Sequence, residues 1–261
     1  MLNYVKSELY RASRSPEIRE TAAVFVGLVL LMNIVLCLLK GLEDFRYGIT
    51  SFSYSNVVAM PMIFCYVASD VAVMLYESDR RNRTEQNCIS YGMSRLELLA
   101  GKCIVSLAVS FVILVMILPV YICSAELLLD SAGPTTAADL LLELPAMSLI
   151  AIASLVLANV LLEVFDKSIV SILVWLAVLV FLPKILLLAG MALTTASSTL
   201  LLDIALWMPA NFLTAQSQVN MSECVAIWDT AQGMAKCLIA GGAEIVVFGA
   251  LGVVLLRKRE L

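Results

Sequence analysis

Apolar residues in this chain gather into six blocks, each parted from the next by a polar or semi-polar stretch. The blocks lie at about 22–39, 56–76, 103–123, 140–162, 169–191 and 236–256. Each is close to the ~20 residues, at ~1.5 Å of rise apiece, that a helix needs to cross a hydrocarbon core. Within a block the apolar residues run almost without interruption, so the predicted helix is apolar on every face. That pattern separates a membrane bundle from a large soluble core, whose surface helices carry one apolar stripe. The expected fold is therefore an all-α polytopic membrane protein of six transmembrane helices in a single transmembrane domain over 1–261.

The stretches between blocks have designs of their own. In residues 1–15, Leu2, Val5, Leu9 and Ala12 fall at helical spacing and Lys6, Arg11 and Arg14 fall elsewhere. A basic amphipathic helix of this kind is expected to lie along a membrane surface. Ser15-Pro16-Glu17 reads as a helix start, with an N-cap hydroxyl, proline at the first helical position and an acid in the first turn. Residues 40–55 and 124–138 read as exposed loops, and Glu163–Ser168 as a short turn. The longest polar segment is 77–102. Asp79–Ile89 is expected to form a short polar helix, Tyr91-Gly92 a turn with Gly92 at positive φ, and Ser94 with Glu97 a capping box opening the next helix. Leu200–Leu213 is apolar but too short to cross. With Trp207 and Pro209 inside, it is expected to be an interfacial or re-entrant helix before the last span.

Charge fixes an orientation. Lys6, Arg11, Arg14, Arg19, Arg80, Arg81, Arg83, Arg95, Lys102, Lys167, Arg257, Lys258 and Arg259 are thirteen of the 17 Lys and Arg, and all fall on one side of the alternating spans. The positive-inside rule makes that side cytoplasmic, with both termini inside. The first apolar block follows some twenty polar residues without a small-residue cleavage site, so it is expected to be an uncleaved first span.

Composition agrees and removes several chemistries. The chain is 61% hydrophobic and 15% charged, with a mean hydropathy of +0.96. Soluble domains run at about 45–50% and about 25%. There is no His, so imidazole bases, Ser–His triads and His-held metals are excluded. The seven Cys stand singly, mostly in apolar blocks, and read as structural thiols rather than a redox or metal site. Gly101-Lys102-Cys103 is no P-loop, having Leu96 where the first glycine belongs and Cys where a Mg²⁺-binding hydroxyl belongs. Two N-x-[ST] sequons, at Asn82 and Asn220, carry no weight. Trp175, Trp207 and Trp228 read as interfacial anchors.

Ionisable groups inside spans are costly, by about 2.5–3.5 kcal/mol on insertion scales, and are candidates for function. Asp70, Lys184 and Glu244 are the candidates here. Glu244 follows Gly241, Gly242 and Ala243, which predict a close helix–helix contact. A Glu244–Lys184 ion pair and a substrate-path or ion-relay role are both open. Asn33 and Asn159 are expected to form interhelical hydrogen bonds.

The run Ser90-Tyr-Gly-Met-Ser-Arg95, with Lys102 opening an apolar span, resembles the coupling segment of type-2 ABC exporter (ABC-2) permeases. That family includes small bacterial permeases of antimicrobial-peptide and lantibiotic export and immunity. The likeness extends over nearly the whole chain as a layout of amphipathic N-terminal helix, six spans, polar segment after span 2, semi-helical loop before span 6 and Arg-Lys-Arg-Glu-Leu ending. One departure is Asn82-Arg83-Thr84, near where family members often carry a Gly-Thr pair. The resemblance implies a non-catalytic permease subunit in a bacterial cytoplasmic membrane, exporting an amphiphilic peptide, lipid or drug. It implies a second permease, the same or homologous, and a cytoplasmic ATPase dimer that binds ATP and Mg²⁺. No cofactor in this chain and no nucleic-acid partner are implied. Arg80, Arg81, Arg83, Thr84, Glu85, Ser94 and Arg95 would then be the ATPase-coupling residues. By pattern alone, the same loop reads equally as a solvated segment whose cations set topology.

Two other classes compete. An ion- or proton-coupled carrier would use Asp70, Glu244 and Lys184 as relays, although the chain has no inverted repeat. A membrane-embedded enzyme is disfavoured by the absence of His and of an acidic cluster in the spans.

Overall fold

The computed structural model describes residues 2–42, 45–82, 88–193, 199–215, 218–220 and 223–259. Helix α1 (Leu2–Arg14) is followed at once by α2 (Pro16–Leu39). Pro16 takes the first helical position as expected, but the Ser15 hydroxyl makes no capping bond. Next come α3 (Thr50–Val58), α4 (Ile63–Asn82), α5 (Arg95–Leu128) and α6 (Ala137–Val164). Helix α7 (Ser168–Leu176) passes through a π-helical turn, Ala177–Phe181, into α8 (Leu182–Leu193). After α9 (Leu200–Leu206), a 3₁₀ turn and the short α10 (Phe212–Ala215), strands β1 (Gln218–Asn220) and β2 (Glu223–Val225) pair antiparallel. Helix α11 (Ala231–Arg259) closes the described chain.

Among the described residues, five helices are long and apolar enough to cross a membrane: Pro16–Leu39, Arg95–Leu128, Ala137–Val164, Ser168–Leu193 and Ala231–Arg257. A further crossing is available only if α3 and α4, bent by 64° at their junction, act as one broken span. The continuous helix expected over 56–76 is thus corrected. Pro61 has no N–H to give the ladder, and its ring clashes with the preceding turn, so the chain leaves the helix between Val58 and Ile63. The exposed loop expected at 40–55 is corrected with it, because Ser51, Ser53, Tyr54 and Ser55 are buried in α3.

Other prolines are absorbed. Helices α5 and α6 run through Pro119 and Pro145. Before Pro183, the ladder widens so that Leu182 N–H bonds to Ala177 O, one residue further back than in an α-helix.

Helix α6 is central. Half of its most apolar stretch is buried, against 22% or less for the other four spans. Its main partner is α11, then α4. Close approach to α11 depends on Gly241, where an added Cβ would stand 2.7 Å from Leu149 Cβ and 2.8 Å from Ile150 N. Gly252 meets Val160 in the same way, while Gly242 faces open space. The outer helix faces stay apolar and uncovered, as at Leu28, Phe111, Phe181, Leu188 and Val246. This is what a lipid-facing surface requires.

The two ends of the bundle are built differently. At one end, Thr50 N–H bonds to Asp130 O at 3.0 Å and Asp130 N–H to Gly48 O at 3.1 Å. Thr135 N–H donates to Ser51 Oγ (3.0 Å), the Ser55 hydroxyl to Thr135 Oγ1 (3.0 Å), and Cys224 N–H to Thr135 Oγ1 (3.4 Å). Gly133, at φ +97°, permits this crossing: a Cβ there would lie 2.4 Å from Ser51 Cβ. A Lys40–Asp130 ion pair closes the cap. The opposite end gathers the start of α2, the end of α4, the start of α5 and the end of α6, and carries most of the cations.

Candidate functional site

The basic end holds a buried ionic cluster. Helix α1 lies across it, with Ala12 buried and Val5 and Leu9 packed against the apolar cluster that includes Val71, Val105 and Val109. Tyr4 fits over Gly101, where a Cβ would come within 2.7 Å of its ring. This docking turns Glu8 and Arg11 inward. Arg11 pairs with Asp79 at the end of α4 and, at 2.5 Å, with Glu8. Lys102, near the start of α5, donates to Glu163 Oε1 on α6 at 2.7 Å and lies 3.9 Å from Asp79 Oδ2. Its Nζ also stands 4.1 Å from the centroid of the Tyr76 ring. Lys102, Asp79 and Glu163 are each 5% exposed or less. Burial first, and then the neighbouring Asp79 charge, push the Glu8 carboxyl up to about 7. Glu8 is therefore partly protonated at neutral pH, which eases a cluster of three acids and two bases.

The coupling-segment residues divide into three groups. The polar helix expected to begin at Asp79 does not begin there; α4 continues through Asn82, because nothing between Tyr76 and Asn82 breaks it. Arg80 donates to the carbonyls of Phe165 (2.8 Å) and Asp166, and stacks 4.7 Å over Tyr76. Arg81 pairs with Glu17 on α2. Arg83, Thr84 and Glu85 lie outside the described residues. Beyond them Gly92 sits at φ +89°. Ser94 and Glu97 form the expected capping box: Glu97 N–H donates to Ser94 Oγ at 3.2 Å, and Ser94 N–H to Glu97 Oε2 at 3.1 Å. Arg95, half-buried, follows as the first residue of α5.

Within the spans, Asp70 is exposed on α4 beside an apolar groove of about 550 Å³ lined by Phe25, Leu28, Tyr66, Leu176 and Trp175. The Glu244–Lys184 pair is not formed. Successive helical residues point about 100° apart. With Pro183 turned to a cavity between α4, α6, α8 and α11, Lys184 is exposed on the outside. Glu244 lines that cavity, and its Oε2 is buried with no hydrogen-bond partner among the described residues.

Several polar residues escaped the sequence reading. Glu143 is 0% exposed on α6, and neither carboxylate oxygen has a partner among the described residues. It was visible as an acid inside an apolar block. Asn33 does bond between helices: its Nδ2 donates to Tyr121 O (3.2 Å) and Ser124 Oγ (2.7 Å), while Ser53 donates to its Oδ1 (2.7 Å). Ser53 and Tyr121 were not foreseen as its partners. Asn159 instead donates to Leu155 O of its own helix at 3.0 Å. Trp175 and Trp228 are core residues, 4% and 2% exposed, and the Trp175 indole N–H donates to Ser154 O. Of the three tryptophans, Trp207 alone lies at the surface, 48% exposed.

No protein-family model matches the chain, and no curated protein matches it. What the fold and its apolar exterior define is a class: an α-helical, multi-pass membrane protein.

Proposed function

We propose that this chain is the permease subunit of an ABC-2-type exporter, with both ends of the chain on the cytoplasmic side and α3 and α4 completing six crossings. ATP would be hydrolysed by a separate cytoplasmic dimer in a bacterial plasma membrane, and a second permease would complete the pathway. The observation that carries the reading is the ionic cluster joining α1, α4, α5 and α6. It makes one mechanical unit of α4 and α5, which flank residues 83–94, together with α1 and α6, so force applied there reaches three spans and the interfacial helix together. Arg80 and Arg81 then anchor the loop's root, leaving Arg83, Thr84, Glu85 and Arg95 for contact with an ATPase. The apolar groove, with Asp70 in its lining, suits an amphiphilic cargo. The test is co-isolation in mild detergent followed by transport in energy-depleted cells. An ATPase should accompany the chain, and export should stop with ATP depletion.

A second reading, an ion-coupled carrier, is favoured by Glu143 and Glu244, the two acids among the described residues with partnerless buried oxygens. Export that survives ATP depletion and collapses with the ion gradient selects it instead.

A further inference from the structure

The cavity that Glu244 lines lies where the bundle is least regular. Met62 reaches it from the break between α3 and α4, Val178 and Leu179 from the π-helical turn, and Pro183 from the proline that turn accommodates. Ile150 of α6 and Val247 of α11 complete an apolar wall around about 270 Å³. Interrupted helices around an apolar space are a recurring way of building a binding site inside a membrane. The other polar lining group is committed: the Ser154 hydroxyl donates to Cys65 O at 3.3 Å, and its carbonyl accepts from Trp175. The Glu244 carboxylate is left as the one charged lining group, without a cation within reach among the described residues.

We propose that this cavity binds a small lipophilic ammonium ion, its N–H groups donated to Glu244 and its hydrocarbon part packed on Leu179, Ile150 and Val247. Charge complementarity selects the occupant. A carboxylate with one buried, unpartnered oxygen gains most from a ligand that brings both positive charge and hydrogen-bond donors, and an apolar wall favours hydrocarbon over water. The volume suits one ring with a short chain. An anionic amphiphile would be repelled, and a neutral alcohol would bring one hydrogen-bond donor but no charge to offset the carboxylate.

The experiment uses the full chain alone in phosphatidylcholine nanodiscs, without ATPase or ATP, so its result does not depend on the permease reading. The probes are tritiated 4-phenylbutylamine and its neutral counterpart 4-phenylbutanol. Saturable amine binding is expected, with no saturable alcohol binding. Glu244→Gln should weaken amine binding at least tenfold. Leu179→Trp, at a buried lining position, fills the cavity and keeps the carboxylate; it should do the same, and it decides the matter if the Gln variant fails to fold. Absence of saturable amine binding, equal binding of amine and alcohol, or undiminished binding in a folded variant overturns the proposal.

Discussion

Lys102 is held by two carboxylates and an aromatic face, out of contact with water. Removing one member of a buried ionic group leaves the rest uncompensated, which typically costs about 3–5 kcal/mol, whereas replacing the group by apolar residues is often neutral. Lys102→Met should therefore destabilise the protein by about that amount in denaturant unfolding from mixed micelles. A Lys102→Met, Glu163→Met double variant should recover a substantial part of the loss. Glu8 gives the cluster a pH dependence. Its folded-state pKa, about 7, lies above the ordinary 4.5, so the folded protein binds the proton more tightly. Its contribution is complete below about pH 4.5, declines as pH rises, and is gone above about 7. Melting temperature in detergent should fall between these limits in the wild type and fall less in Glu8→Gln, with Asp79, Glu163, Arg11 and Lys102 unchanged.

Among elements, the contact of α6 with α11 makes the sharpest case. Gly241→Val places methyl groups where Leu149 and Ile150 already stand, and should cost about 1–3 kcal/mol by overpacking. Gly242→Val, one residue on and facing open space, should cost much less, and thermal unfolding of the pair compares them directly. The triplet 241–243 was legible in the sequence as a contact face; which glycine makes the contact was not, since that depends on the rotation of α11. The prolines teach the same lesson. Pro61, Pro119, Pro145 and Pro183 all interrupt apolar runs, yet the first breaks the chain, two are passed over and the last widens a turn. Local chemistry says only that a ladder bond is missing; the neighbouring helices decide how the gap is met. The capping box at Ser94 was readable because its partners lie three residues apart. Lys102 and Glu163, 61 residues apart, meet only when the bundle forms.

For the whole molecule, the apolar blocks foretold the helices, and the crowding of cations foretold the composition of one end. An orientation follows that labelling can check in intact bacterial cells. In a cysteine-free background, Ser131→Cys at the capped end should react with a membrane-impermeant maleimide. Ser90→Cys should react only after the membrane is opened. Reversal of this pattern would invert the proposed arrangement. The two ends are also fastened by bonds of different kinds. The cap is stitched mainly by uncharged bonds from backbone amides to carbonyls and hydroxyls, which keep one register and ignore ionic strength, with a single exposed ion pair beside them. The far end is clasped by side-chain charges, which can exchange partners without any strand having to slip. The bundle thus resembles tongs pivoting at the cap with the charged clasp moving as one body, so displacement should grow along each span from the Gly133 crossing towards Lys102.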